Sequence, residues 1–220
     1  IRMLRGPNLW SRHTALEAIV SCDESERSID SIPQFETKIR ERFPQLGSMR
    51  RGGHNETLSL AHALEHAALG LQSQAGCPVT FSRTVQTVDS GVYQVVVEYT
   101  EEVVGRMAFD FAFALIQSTL NDVPFDLAAA LSELEALYEE VRLGPSTGSI
   151  VDAAVQRNIP YRRMTEGSMV QFGWGSKQKR IQAAETSDTS AIAEAIAQDK
   201  ELTKNLLAAA GVSVPVGEVV

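Results

Sequence analysis

Long hydrophobic runs are missing from this chain. No stretch approaches the ~18 consecutive apolar residues that a membrane span needs, and His, Glu, Asp or Gln interrupt each apolar-rich segment early. Basic charge is in deficit: 20 Lys and Arg face 28 Asp and Glu, for a formal charge of −8. That balance argues against the basic face on which general nucleic-acid binding depends, so neither a nucleic acid nor a membrane is an expected partner. Cysteine is almost absent. Cys22 and Cys77 lack C-x-x-C spacing, which excludes a disulfide framework and makes a reducing cytoplasm the expected location. Nothing at the start reads as a secretory signal. What is abundant is ordinary. Hydrophobic residues are 44% and charged residues 22%, the composition of one large or two small folded domains.

The periodicities alternate between helix and strand. A short strand entering the Gly6-Pro7 turn is expected in the first ten residues, and residues 14–21 are either strand or helix. Phe35, Ile39 and Phe43 recur at four-residue spacing after Pro33, which predicts a helix ended by Pro44. Residues 57–72 form a stronger one, with Leu60, Leu64, Ala67 and Leu71 in one stripe and Gly76-Cys-Pro78 beyond its end. Residues 79–88 and 91–99 read as a hairpin around Asp89-Ser90-Gly91. Two apolar helices, 101–120 and 126–141, follow. Leu143-Gly-Pro-Ser-Thr-Gly148 marks a break, and a domain boundary is placed there, dividing 1–145 from 146–220. Beyond it come a helix over 149–157, short strands at 160–164 and 169–174, helices over 189–198 and 200–210, and an uncompleted strand, as if the chain were cut there. The expected class is α+β: an antiparallel sheet packed with helices, then a small α/β unit.

Histidine is scarce, with four in the chain, and two of them complete one pattern: His62-Ala-Leu-Glu65-His66. On a helix, residues four apart project from the same side, so both imidazoles can reach one ion. Glu65 falls about 60° from His62 on the helical wheel, where it can act as general base beside an activated water. H-x-x-E-H is the inverted form of the zinc-peptidase motif, so zinc is the expected ion. A zinc site needs a third protein ligand. Glu98 is the favoured donor because it interrupts the apolar strand Val95-Val-Val-Glu-Tyr99. Glu102 is the alternative, although an acidic residue opening a helix needs no other role. His54 reads as a surface residue. Arg83, on the first hairpin strand, is a candidate for orienting a substrate carboxylate or a tetrahedral oxyanion. Gly173-Trp-Gly-Ser-Lys177 lacks the full phosphate-loop pattern and reads as a hairpin turn.

Several segments together resemble one family. Arg5-Gly-Pro-Asn-Leu-Trp10, Arg51-Gly-Gly53, the His62–His66 helix, Phe81-Ser-Arg-Thr84 and Val97-Glu-Tyr99 are similar to the N-terminal domain of cyanophycin synthetases. Leu143-Gly-Pro-Ser-Thr147, Asn158-Ile-Pro160, Val170-Gln-Phe-Gly-Trp-Gly175, Arg180-Ile-Gln-Ala183 and Asp199-Lys200 continue the likeness in order. In that family an ATP-grasp module, using ATP and magnesium, adds aspartate to a poly-aspartate backbone, and a Mur-ligase-like module adds arginine to each β-carboxylate. The resemblance implies that both modules lie downstream, that residues after about 145 lead into the ATP-grasp module, and that the full enzyme is a homo-oligomer. It further implies that residues 1–145 hold the growing polymer and, through the H-x-x-E-H site, cut it into primers. The helix–hairpin–helix order also resembles half of a pitrilysin-type peptidase unit, which uses the same motif.

Overall fold

The computed structural model describes residues 1–49, 57–183 and 185–217. His54 and the Arg51-Gly-Gly53 segment lie outside the described residues.

Four antiparallel strands open the fold: β1 (Arg2–Leu4), β2 (Ala15–Ser21), β3 (Ser82–Gln86) and β4 (Val92–Glu98), in the order β1-β2-β4-β3. The long central pairing runs from Ala15 opposite Glu98 to Ser21 opposite Val92. Side chains alternate across a strand, and directly opposed residues share a face. Leu16, Ala18, Tyr93, Val95 and Val97 therefore form one face, which lies in the hydrophobic core. Glu17, Val96, Glu98 and Arg83 belong to the other.

Helices α1 (Phe35–Arg42), α2 (Leu60–Gln74) and α3 (Glu102–Leu120) cover the core face. The α2 stripe of Leu64, Ala67, Ala68 and Leu71 is buried, as are Val104, Ala108, Ala112 and Leu115 of α3. Gly105 permits the close approach at the start of α3, because a β-carbon there would lie 2.6 Å from Tyr99 Cβ. By length and composition α3 could cross a membrane, but half of it is buried in this protein. Helix α4 (Leu127–Val141) starts where Asp126 accepts a bond from the Ala129 amide at 2.9 Å, a side-chain N-cap. It packs on α3 and α2, with Ala130 and Leu134 buried.

Helix α5 (Pro145–Gln156) begins four residues before the expected start. The Gly-Pro-Ser-Thr-Gly segment reads as a break, yet Pro145 occupies the first helical turn, where its missing N–H costs nothing. An antiparallel meander follows: β5 (Tyr161–Arg163), β6 (Met169–Phe172), β7 (Lys179–Gln182) and β8 (Glu185–Thr186). The Gly173–Lys177 segment is the β6–β7 turn. Helices α6 (Ala191–Gln198) and α7 (Lys200–Ala209) come last, and residues 212–217 form no strand. The fold class is α+β.

Side-chain contacts tie the meander to the first sheet's surroundings. Arg163 donates to Glu101 at 2.9 Å, and the Trp174 ring seats against Gly6, whose φ of +139° places it where only glycine is at ease.

Candidate metal-binding helix and its surroundings

The motif lies on the first two turns of α2. Ser59 caps the helix and is fully buried. His62 Nδ1 lies 3.1 Å from the Ser59 amide nitrogen and 2.9 Å from its hydroxyl oxygen. The His62 ring meets Tyr93 of β4 edge-on, with centroids 5.8 Å apart. Glu65 is only 2% exposed, while His62 and His66 are half-buried. All three side chains are engaged in polar or ring contacts. The helix thus presents two imidazoles one turn apart with a buried carboxylate between them.

These donors fit a zinc-class ion in kind. Imidazoles are among the commonest zinc ligands, and the second ring nitrogen of a ligating histidine is usually held by a hydrogen bond, as His62 Nδ1 is here. Among the described residues no three His, Cys, Asp or Glu side chains converge on one point.

The structure does not bring Glu98 to the histidines. The run Val95-Val-Val hides the alternation of β4, and pairing resolves it: Tyr93, Val95 and Val97 face the core with α2, so Glu98 faces away. Its Oε2 accepts bonds from the Thr80 and Phe81 amides, each at 2.8 Å, and its Oε1 lies 3.7 Å from His13 Nδ1. Glu98 holds the entry to β3. Glu98→Ala is expected to destabilise the fold by about 1–3 kcal/mol, since two amides lose their acceptor. Urea unfolding measures that loss.

Glu102 is also occupied elsewhere. It accepts from Arg5 at 2.7 Å and from Arg106 at 3.3 Å, and the Arg5 bond chiefly holds its pKa below the usual carboxylate range. Arg83 lies opposite Val96, on the face turned from α2. It is exposed, stacks over Trp10 at 5.8 Å and has no ion pair among the described residues. It therefore does not join the H-x-x-E-H residues across the sheet.

The outer face carries a cluster that the sequence reading passed over. Glu17 is 6% exposed and accepts from Trp10 Nε1 at 3.1 Å, from Gln94 and from Arg2. Its signal was a lone carboxylate inside Ala15-Leu-Glu-Ala-Ile-Val20. Burial raises the Glu17 pKa, and the bonds from Trp10, Gln94 and Arg2 together outweigh it, leaving the value below the ordinary 4.5. A depressed carboxylate pKa contributes stability above its unfolded value and loses it as pH falls through the folded one. Glu17→Gln is therefore expected to flatten the loss of stability below pH 4.5, read by urea unfolding down to about pH 3.

A cavity of about 410 Å³ opens beside Glu98, between the end of β4, α4 and α5, with Glu101, Tyr138, Asp152 and Tyr161 among its lining residues. Both cysteines are buried and unpaired. Burial pushes their thiols up, Cys77 to about 12, so neither is poised as a nucleophile.

Comparison with known proteins places this architecture. The family of cyanophycin synthase-like N-terminal domains matches residues 18–121, which run from β2 to the end of α3 and include the whole H-x-x-E-H helix. Residues 18–121 form a cyanophycin synthase-like N-terminal domain. The likeness continues past that domain. The cyanophycin synthetase of Trichormus variabilis is 37% identical over 235 positions, covering 100% of this chain and 26% of the relative. That of Geminocystis herdmanii is 38% identical over 232 positions, covering 99% and 26%. That of Synechocystis sp. is 36% identical over 229 positions, covering 97% and 26%. The chain thus spans about a quarter of these relatives, at their N-terminal end. The matched segment covers β3, β4, most of β2 and α1 to α3; β1, α4, α5, the meander, α6 and α7 lie outside it.

Proposed function

We propose that this chain is the polymer-handling N-terminal part of a cyanophycin synthetase, and that its H-x-x-E-H helix cuts cyanophycin into short primers. The observation that carries this reading is the placement of Glu65, buried on α2 between two imidazoles one turn apart. His62 and His66 would hold a zinc ion. Bound there, zinc would supply a Lewis acid and lower the pKa of a water. Glu65 takes the proton of the water that attacks a backbone amide of the polymer and passes it to the departing nitrogen. ATP, magnesium and both ligase activities belong to downstream ATP-grasp and Mur-ligase-like modules, and residues 146–220 lead into the first of these. The full enzyme acts as a homo-oligomer in the cytoplasm, a location supported by the two buried free thiols.

The test is incubation of the chain with cyanophycin, with and without a chelator. Short Asp-Arg oligomers that vanish on chelation support the reading; an intact polymer in both arms overturns it.

A second reading has its own observation. Among the described residues no three metal donors converge, which favours a domain that docks the polymer without cutting it. Acidic pairs such as Asp23-Glu24 and Glu139-Glu140 would then attract its guanidinium groups, whereas Glu101 and Glu102 are already engaged by Arg163 and Arg5. Retention of polymer that weakens steeply with salt, with no cleavage, would support docking alone.

A further inference from the structure

The cavity beside Glu98 has no part in the H-x-x-E-H chemistry. Its volume of about 410 Å³ falls within the roughly 300–1,000 Å³ of sites that take small organic groups. Two of its carboxylates are buried: Glu98 is 7% and Glu101 9% exposed. Their charges are not equally answered. Glu101 is paired with Arg163 at 2.9 Å. The hydrogen bonds that Glu98 accepts from Thr80 and Phe81 all fall on Oε2. Its Oε1 has His13 Nδ1 at 3.7 Å, too long for a hydrogen bond. A buried carboxylate oxygen that accepts nothing is costly until a donor reaches it. Asp152 also lines the cavity, is exposed, and has no ion pair among the described residues. Arg142, the arginine of the lining, is taken up by Glu139 at 2.8 Å. Tyr138 and Tyr161 add two aromatic rings.

We propose that this cavity binds a guanidinium group, and that its occupant is an arginine side chain of the polymer. The choice of the polymer rests on the polymer-handling reading above; the guanidinium site rests on the cavity's own residues. A guanidinium carries five N–H donors in a planar fork, enough to serve Glu98 Oε1 and keep others for Asp152. Its flat face can lie on a tyrosine ring. An ammonium has neither the fork nor the face, and an anion would meet two carboxylates that no cation answers. Glu98 is on the sheet face turned from α2. Holding and cutting therefore fall on opposite faces of the first sheet, and a chain held here leaves the H-x-x-E-H helix open.

The test titrates propylguanidinium, the end of an arginine side chain, into the ¹⁵N-labelled chain. Saturable amide shifts are expected at Glu98, Asp152 and Tyr161, with butylammonium binding several-fold more weakly. Glu98→Gln keeps the size of the side chain and an acceptor oxygen but removes the charge. It should weaken propylguanidinium by about 10–100-fold, the worth of a hydrogen bond to a charged group. Asp152→Asn, at an exposed position, should weaken it by about 2–5-fold, and the urea midpoint checks that each variant is folded. Absence of a saturable shift, an equal response to butylammonium, or unchanged affinity in both variants overturns the site. Short Asp-Arg oligomers should displace propylguanidinium and bind more tightly than it does. Oligomers that bind the chain but leave propylguanidinium in place overturn the polymer as occupant. Oligomers that do not bind at all overturn the polymer-handling reading and leave the guanidinium site standing.

Discussion

Glu65→Gln is expected to reduce cleavage of cyanophycin by about 10²–10⁴-fold, the usual worth of a general base. Glutamine keeps the shape of the buried side chain and can still bond, but it cannot take a proton. Glu65 is 2% exposed, so a loss of folding would mimic a loss of chemistry; the urea midpoint of the variant separates the two. The consequence in the full-length enzyme is sharper. A ligase that extends its product's chain end needs ends to extend, and limited hydrolysis generates them. Glu65→Ala in the full-length enzyme should leave synthesis from added primer intact and abolish synthesis without primer. Full-rate unprimed synthesis in that variant would sink the primer role.

The largest effect on stability is expected from Phe43→Ala, about 3–5 kcal/mol, out of a total of about 5–15 kcal/mol for a domain of ordinary stability. Phe43 ends α1 and is completely buried. Its ring lies so close to α2 that a β-carbon at Gly70 would be 3.2 Å from it. The void left by alanine would face the rigid backbone of α2, which cannot collapse into it, so little of the cost is recovered by relaxation. Gly70 is one turn beyond His66 on the same helix. Cleavage per folded molecule is therefore expected to fall as well, because α2 loses the packing that fixes its position on the sheet. Urea unfolding, with cleavage rates corrected for the folded fraction, measures both.

Much of the fold could be read in one dimension. Period-four apolar stripes located α1 to α4, and β-branched alternation with Asp89-Ser90-Gly91 located the β3–β4 hairpin. Strand β7 was missed because Lys179-Arg-Ile-Gln182 holds a single apolar residue and its pairing with β6 supplies what its composition lacks. The early start of α5 was missed because glycine and proline that break a helix in its interior are tolerated around its first turn.

The candidate site divides in the same way. The arrangement of His62, Glu65 and His66 was determined by the sequence alone, because residues three and four apart on a helix share a face whatever surrounds them. The third ligand was not, because it depends on which face of a strand meets which helix. Val95-Val-Val97 is apolar on both faces, so no alternation in it tells a reader where Glu98 points. Only the packing of α2 against Tyr93, Val95 and Val97 decides that Glu98 turns away, towards the Thr80 and Phe81 amides. The same holds for Glu102, claimed by Arg5 from the far end of the chain, and for Ser59, whose grip on His62 appears only once the helix has a capped beginning. Local spacing fixes what one element carries, and burial and long-range pairing decide which partners those side chains meet.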